Sequence, residues 1–209
     1  MRQELLVATK NIKKFQEIKE ILKGLNLKIT SLRDYPGSPR IVENGSTFKA
    51  NAIKKAVCLA RLSGKLTLGE DSGLCVKALG GRPGVRSSRY SGKNKSDSQN
   101  NIKLLKELSG YPVKKRKGYY QCAVAIADKF GLIQTVEGKC CGSIGLKARG
   151  NHGFGYDPLF VIPKFKKTFA ELGPYIKHSM SHRYRALKKI KGPIIKYFRK
   201  VKKPLFCQT

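Results

Sequence analysis

Carboxylate side chains are scarce in this chain, and three of them occur in segments that could bind a metal ion. The sequence has 44 lysines and arginines but only 13 aspartates and glutamates. Glu70 and Asp71 are adjacent in the segment GEDSG, and Glu43 opens the segment ENGSTF. Adjacent carboxylates repel each other unless a cation or a proton lies between one of them and a neighbour. Mg²⁺ binds through one or two carboxylates together with substrate phosphates, so the scarcity of acids favours a metal site over the alternative, a solvent-exposed acidic turn.

Residues 7–15, VATKNIKKF, have the composition of a phosphate-binding turn. A short apolar strand ends here and a helix begins at Asn11, and the first turn of a helix has unbonded N–H groups and a partial positive charge. Thr9 and Asn11 add side-chain donors, while Lys13 and Lys14 add full positive charges. This chemistry suits a phosphate group, and the alternative is an ordinary helix cap with solvated lysines.

Two later segments could bind a planar base. Phe154 stands between glycines in GFGYDP and could present the face of its ring to a base. Lys177, His182 and Arg183, in KHSMSHR, could contact the edge and the phosphates of a nucleotide. The alternative is that Phe154 belongs to the core and that the histidine is structural.

Taken together, these segments resemble the inosine triphosphate pyrophosphatase family, in its bacterial branch. Five patterns of that family occur in order along nearly the whole chain: [ST]xNxxK at 9–14, ExGxTFxxNAxxKA at 43–56, DDSGLxVxALxGxPGxxSxRY at 70–90, FGYDPxF at 154–160 and KxxxSHRxxAL at 177–187. The chain departs from the family at two positions. Glu70 stands where aspartate is common, and Ala50 replaces a common glutamate, which leaves Glu43 and Asp71 as the expected metal ligands.

The resemblance implies an enzyme that hydrolyses noncanonical purine nucleoside triphosphates (dITP, ITP and XTP) to the monophosphate and pyrophosphate with Mg²⁺, and so cleanses the nucleotide pool. It implies a homodimer in which Asp71 is the catalytic residue and, with Glu43, a metal ligand. The implied substrate-binding residues are Thr9, Lys10, Asn11, Ile12, Lys13, Lys14, Ser72, Phe154, Gly155, Tyr156, Asp157, Lys177, His182 and Arg183.

The implied fold is α/β, with a long central mixed β-sheet, flanking helices and the active-site cleft between two lobes of a single domain, residues 1–209. The pattern of elements agrees, since helices alternate with strands early in the chain and a hairpin follows. The hairpin is predicted at 119–127 and 132–141, and residues 66–68 and 74–79 are predicted as two strands flanking an EDSG turn. The last third is predicted to be helical, with an interruption at Gly192-Pro193.

The formal net charge of +31 admits a second class of function, binding to an anionic partner such as nucleic acid. The basic residues are spread along the chain, and no segment matches a known DNA- or RNA-binding motif. A solvated lysine-rich surface is therefore favoured, with nucleic acid bound only nonspecifically, if at all. A Maf-like pyrophosphatase for other modified nucleotides and a basic nucleic-acid-binding protein remain the alternatives.

The expected location is the cytoplasm. No stretch of about 20 apolar residues is present, so we expect no membrane span, and the short apolar run near the N-terminus does not fit a signal peptide. The six cysteines form no CxxC pair, which favours small core residues in a reducing compartment.

Overall fold

A computed structural model describes residues 3–92 and 96–202 of the chain. The strands are β1 (Glu4–Val7), β2 (Lys28–Ser31), β3 (Leu66–Val76), β4 (Lys117–Asp128), β5 (Gly131–Ile144), β6 (Phe160–Ile162) and β7 (Lys167–Thr168). The helices are α1 (Ile12–Ile21), α2 (Phe48–Ser63), α3 (Asp97–Glu107), α4 (Phe169–Met180) and α5 (His182–Lys202).

The strands form one seven-stranded sheet in the order β2-β1-β3-β4-β5-β6-β7. β1 runs parallel to β2 and to β3, whereas β3 to β7 pair in antiparallel fashion. The predicted α/β class with a mixed sheet is therefore confirmed, as is the hairpin, which is β4 and β5. The division into two lobes stays a prediction.

Helices cover both faces of the sheet. Leu187, Ile190 and Ile194 of α5 pack with Val124 and Ile126 of β4 on one face. Small residues of α2, Ala52 and Ala56 among them, pack on the other face against alternate residues of the same strand. Because successive side chains of a strand point to opposite faces, each position along β3 faces either α5 or α2.

β3 is longer than the neighbour that pairs with it on one side. β1 ends at Val7, opposite Leu68, while β3 continues to Val76. Within residues 3–92 and 96–202, the only strand-like contact on that edge beyond Leu68 is an isolated bridge between Cys75 and Pro83. The edge of β3 just after Leu68 is therefore free of a neighbouring strand, and a cleft opens there.

The predicted EDSG turn is wrong, because these residues lie inside β3. Glu70 pairs with Val124 and Asp71 with Ala123 in one uninterrupted ladder. Gly69, just before this segment, is required by close packing, since a Cβ there would collide with the backbone of Ala52 in α2. A glycine inside a strand often marks such an approach of another backbone.

The predicted interruption at Gly192-Pro193 is also wrong, because α5 continues through both residues. Proline removes one helical hydrogen bond, but Ile190 and Ile194 on either side are fully buried. Packing of these side chains into the core stabilises the helix across the defect.

The predicted helix start at Asn11 is confirmed, and α4 begins with a similar cap at Thr168. The Asn11 side chain accepts a hydrogen bond from the Lys14 N–H at 3.0 Å, and Thr168 forms a reciprocal capping box with Glu171. In the described part of the chain, no helix is long and apolar enough to cross a membrane. Five cysteines are free thiols, and Cys207 lies outside the described residues.

Candidate functional site

A cavity of about 440 Å³ lies beyond the end of β1, beside the free edge of β3. The structure brings most of the predicted site residues together around it. Ile12 and Lys13 are the exceptions, because their side chains are exposed on the first turn of α1 and do not line the cavity. The predicted residues on the cavity wall are Thr9, Lys10, Asn11, Glu43, Lys14, Asp71, Ser72, Phe154, Gly155, Tyr156, Asp157, Lys177, His182 and Arg183.

The N-terminus of α1 offers unbonded backbone donors at the cavity. The Lys14 N–H is used by the Asn11 side chain, and the Asn11 N–H donates to Thr9 Oγ1 at 3.1 Å. The N–H groups of Ile12 and Lys13 have no acceptor among the described residues. These two residues do not line the cavity themselves, but their backbone donors lie between Asn11 and Lys14, which do, and their side chains are exposed.

Glu70 faces α5 and forms ion pairs with two cations of the site. Its Oε2 lies 3.0 Å from Lys14 Nζ, and its Oε1 lies 3.0 Å from Arg183 Nη2. Burial opposes ionisation, but Arg183 and Lys14 outweigh it and hold the pKa of Glu70 well below its usual value. Each carboxylate oxygen contacts one of the two cations, so Glu70 positions Lys14 and Arg183.

Glu17 was not predicted as a site residue, yet its carboxylate forms ion pairs with two cations of the cavity wall. Its carboxylate lies 2.7 Å from Lys177 Nζ and also contacts Arg183 Nη1. Lys177 Nζ in turn lies 2.6 Å from Asp157 Oδ2. Positive and negative side chains thus alternate through the protein interior. We call this set the buried charge chain, and in order of contact its members are Lys14, Glu70, Arg183, Glu17, Lys177 and Asp157.

The sequence contains a feature that could have identified Glu17 as a buried, ion-paired residue. It is one of only 13 acids, and it interrupts the apolar side of α1 between Phe15 and Ile18. A scarce carboxylate on the buried side of a helix requires a buried cation. Its partners could not be identified from the sequence, because they lie more than 150 residues away.

The turn that carries Phe154 is held from two sides. From within, Asp157 Oδ2 accepts a hydrogen bond from the Phe154 N–H at 2.9 Å. From outside, the Gly155 N–H donates to Asp97 Oδ2 at 2.8 Å, and the Asn101 side chain donates to the Gly155 carbonyl at 3.1 Å. The first turns of α3 therefore fix the orientation of this turn at the cavity.

Asp71 faces α2, on the opposite side of β3 from Glu70. Lys55, on α2, places its Nζ 2.9 Å from Glu43 Oε2 and 4.0 Å from Asp71 Oδ1. The Asn51 side chain donates to Asp71 Oδ2 at 2.9 Å, and Arg89 donates to the Glu43 carbonyl at 3.2 Å. Two carboxylates thus converge on one cation at the cavity wall.

The Asp71 carboxyl is a stronger base than an ordinary aspartate. Burial raises its pKa, and the negative charge of Glu43 adds to this effect. Lys14, Lys55 and the Asn51 amide act in the opposite direction without cancelling it. A buried carboxylate with a raised pKa at a cleft is a typical candidate for proton transfer.

The donor set of Glu43 and Asp71 fits a hard divalent cation. Their carboxylate oxygens already approach one positive charge, the Lys55 ammonium. Among residues 3–92 and 96–202, no group of three or more histidine, cysteine, aspartate or glutamate side chains is placed to hold a metal. Two carboxylates completed by phosphate oxygens and water are the usual environment of Mg²⁺.

Two buried nitrogens of residues that line the cavity have no hydrogen-bond partner among residues 3–92 and 96–202. They are His182 Nδ1 and Arg183 Nε, and both side chains are at least 97% buried. The His182 ring stacks on Tyr120 at 4.6 Å. Burial, Arg183 and Lys177 together hold the pKa of His182 well below its usual value, so the imidazole is neutral at pH 7. Buried polar atoms without partners cost free energy, which indicates that a ligand or water completes them.

Comparison with known proteins identifies the family. The sequence model of the Ham1 family matches residues 5–192. The chain belongs to this family. The inosine triphosphate pyrophosphatase family predicted from the five sequence patterns is the Ham1-like family, so that prediction is confirmed.

Curated proteins named dITP/XTP pyrophosphatase are similar to this chain over most of their length. A protein from Desulforamulus reducens named dITP/XTP pyrophosphatase is 47% identical over 186 residues, which are 89% of this chain and 92% of that protein. A protein of the same name from Geobacillus kaustophilus is 44% identical over 187 residues, or 90% of this chain and 92% of that protein.

Solved structures of Ham1 proteins have the same fold. A HAM1 protein from Coxiella burnetii superposes with a TM-score of 0.84 at 36% identity, over 93% of this chain and 99% of that one. A nucleoside-triphosphatase, dITP/XTP pyrophosphatase, from Mycobacterium abscessus superposes with a TM-score of 0.73 at 38% identity, over 90% and 97% of the two chains.

Replacing Glu17 by glutamine should destabilise the fold, because Lys177 and Arg183 would lose the carboxylate that compensates their buried charges. Removing one partner of a buried ion pair typically lowers the free energy of unfolding by about 3–5 kcal/mol. Glu20→Gln, at an exposed position of the same helix, is the matched control and should lower it by less than about 1 kcal/mol. Urea unfolding at pH 7 measures the free energy of unfolding of each variant. Equal decreases in the two variants would show that Glu17 does not stabilise the buried charge chain.

The difference between wild type and Glu17→Gln should also depend on pH. Burial alone would raise the pKa of Glu17, but Arg183 and Lys177 outweigh it and lower the pKa from 4.5 to about 2. A lowered pKa in the folded state gives stability that is fully present above the unfolded-state value and is lost as the pH falls through the folded-state value. The two unfolding free energies should therefore converge between pH 4.5 and 2.

Proposed function

We propose that this protein is a pyrophosphatase that hydrolyses dITP, ITP and XTP to the nucleoside monophosphate and pyrophosphate with Mg²⁺, and so removes noncanonical purine nucleotides from the pool. One observation carries the proposal. A single cavity is lined by the first residues of α1, by the carboxylates of Glu43 and Asp71, and by the turn at Phe154 together with His182 and Arg183. These groups would bind the phosphates, the metal and the base of one nucleotide. The names of the similar proteins support it. We further expect a homodimer in the cytoplasm.

The phosphates would bind at the N-terminus of α1. The free N–H groups of Ile12 and Lys13 would donate to phosphate oxygens, aided by the partial positive charge of the helix end. Thr9, Lys10 and Asn11 line the same wall. Lys14, held by Glu70, would add a full positive charge at a fixed position.

Glu43 and Asp71 would hold Mg²⁺, which on binding would neutralise negative charge on the phosphate oxygens. The raised pKa of Asp71 suits it to accept a proton from water, because an efficient general base has a pKa near the working pH. The activated water would attack the α-phosphorus in line, and pyrophosphate would leave. Ser72, which accepts a hydrogen bond from Arg183 Nη2 at 3.0 Å, would contact the substrate from the opposite face of β3.

The base would stack on Phe154, with Gly155, Tyr156 and Asp157 shaping the turn around it. Arg183 Nε is a buried donor with no acceptor in the part of the chain that the structure describes, and a purine carbonyl at position six would accept a hydrogen bond from it or from His182. Adenine presents an amino group at that position, so a donor would face a donor. A site built to hydrogen-bond one substrate group can reject an analogue without it by roughly 10⁴-fold.

A panel of nucleotides tests this function. With Mg²⁺ present, dITP, ITP and XTP should release pyrophosphate at least about 10²-fold faster, in kcat/KM, than ATP or GTP. A Maf-like pyrophosphatase would instead prefer other modified nucleotides, and a protein that only binds nucleic acid would show no turnover. Equal rates on all five nucleotides would contradict the proposed selectivity.

Replacing Asp71 by asparagine should abolish most turnover of dITP while leaving the fold intact. Asparagine keeps the shape and the hydrogen bond with Asn51 but accepts no proton and carries no charge for the metal. Loss of a general base alone lowers turnover by about 10²–10⁴-fold. Asp128→Asn, the same chemical change at the β4–β5 turn, should retain wild-type turnover. An active Asp71→Asn enzyme would remove this residue from the mechanism.

A further inference from the structure

The outward face of α5 carries a row of cations for which the proposed enzymatic activity has no use. At 3.6 residues per turn these side chains fall within an arc of about 120°, and at 1.5 Å per residue the row extends about 22 Å along the helix. The opposite side of α5, with Leu187, Ile190 and Ile194, is fully buried in the core. The exposed members of the row are Arg185, Lys188, Lys189, Lys196, Arg199 and Lys200.

The charges of this row are not compensated by acids. No aspartate or glutamate follows Glu171 in the sequence. Among the residues that the structure describes, none of the six cations forms a salt bridge. Lys189 and Arg185 donate only to backbone carbonyls, those of Glu137 and Met180. In the buried charge chain, by contrast, every cation touches a carboxylate. The row therefore presents a concentrated positive potential to solvent.

The chemistry of the row favours one class of partner. If a second copy of this chain docked on this face across a two-fold axis, the row of one copy would lie against the row of the other, and like charges would meet. A helix that lies in a membrane surface inserts an apolar face, but the apolar face of α5 is already buried, and the exposed Ile195 and Val201 lie too far apart to replace it. A phosphodiester backbone, with its regular line of negative charges, complements a line of lysines and arginines.

We propose that the cationic row of α5 binds the phosphodiester backbone of nucleic acid without sequence specificity. Only the first two residues of α5, His182 and Arg183, are among those that line the cavity. The row starts at Arg185 and faces solvent, so nucleic acid and nucleotide substrate would bind at separate places. Binding would hold the enzyme on nucleic acid while the cavity stays open to free nucleotides.

Fluorescence anisotropy with labelled single-stranded and duplex oligonucleotides tests the proposal. The logarithm of the wild-type association constant should fall linearly with the logarithm of the salt concentration between about 50 and 200 mM KCl, with a slope of about −0.7 per phosphate contact for single strands and −0.9 for duplexes. The variant K188Q/K196Q/R199Q/K200Q should bind at least about 10-fold more weakly at 100 mM KCl, with a shallower slope.

A matched control variant distinguishes the effect of the α5 row on oligonucleotide binding from the effect of the total net charge. The variant K114Q/K115Q/K164Q/K167Q removes four exposed positive charges outside α5 and should bind oligonucleotides nearly as well as wild type. Both variants should have the wild-type circular dichroism spectrum and unfold at the wild-type temperature. This verifies that the fold is intact without using the proposed activity, so failure of this test and failure of the proposed function remain distinguishable.

Three outcomes would overturn the proposal. Equal losses in the two variants would show that net charge alone attracts the oligonucleotide. Absence of wild-type binding at 100 mM KCl would show that the row has no nucleic-acid partner. Tighter binding of wild type to phosphatidylserine–phosphatidylcholine vesicles than to oligonucleotides would show that the row recognises a membrane surface.

Discussion

The alternating sequence of charges in the buried charge chain is the constraint on which the candidate site depends. Each buried cation in it would be costly to desolvate alone, and each touches a carboxylate. The chain connects α1, β3, α4, α5 and the turn that carries Phe154. The distance between the N-terminus of α1 and the turn that carries Phe154 is therefore set by contacts in the interior.

The second constraint is the alternation of side chains along β3. Glu70 and Asp71 are neighbours in sequence but face opposite sides of the sheet, so they do not compete for one cation. Glu70 satisfies the cations beside α5, and Asp71 joins Glu43 and Lys55 beside α2. Because β1 ends early, the cleft reaches past the free edge of β3, and a single ligand can contact both sides.

Local features of this protein could be predicted from the sequence, and long-range ones could not. The helix start at Asn11 and the β4–β5 hairpin follow from capping and alternation within a few residues. The EDSG segment was assigned wrongly because β3 is buried on both faces, so its sequence lacks the apolar–polar alternation of a half-buried strand. In addition, a glycine such as Gly69 is typical of a turn, and its packing against α2 cannot be seen in the sequence. The partners of Glu17 are brought to it by the three-dimensional fold. The sequence alone therefore shows an unusual acid on the apolar side of α1 but not the cations that pair with it. The five family patterns, in contrast, were sufficient to identify the family.

The most direct test of this account is a crystal structure with Mg²⁺ and an inosine triphosphate analogue whose α,β-bridging oxygen is replaced by an imido group. The account predicts phosphates at the first turn of α1, the hypoxanthine on Phe154, and the ion between Glu43 and Asp71, with the buried charge chain unchanged. A structure in which both carboxylates point away from the ligand, with no ion bridging them to the phosphates, would contradict it.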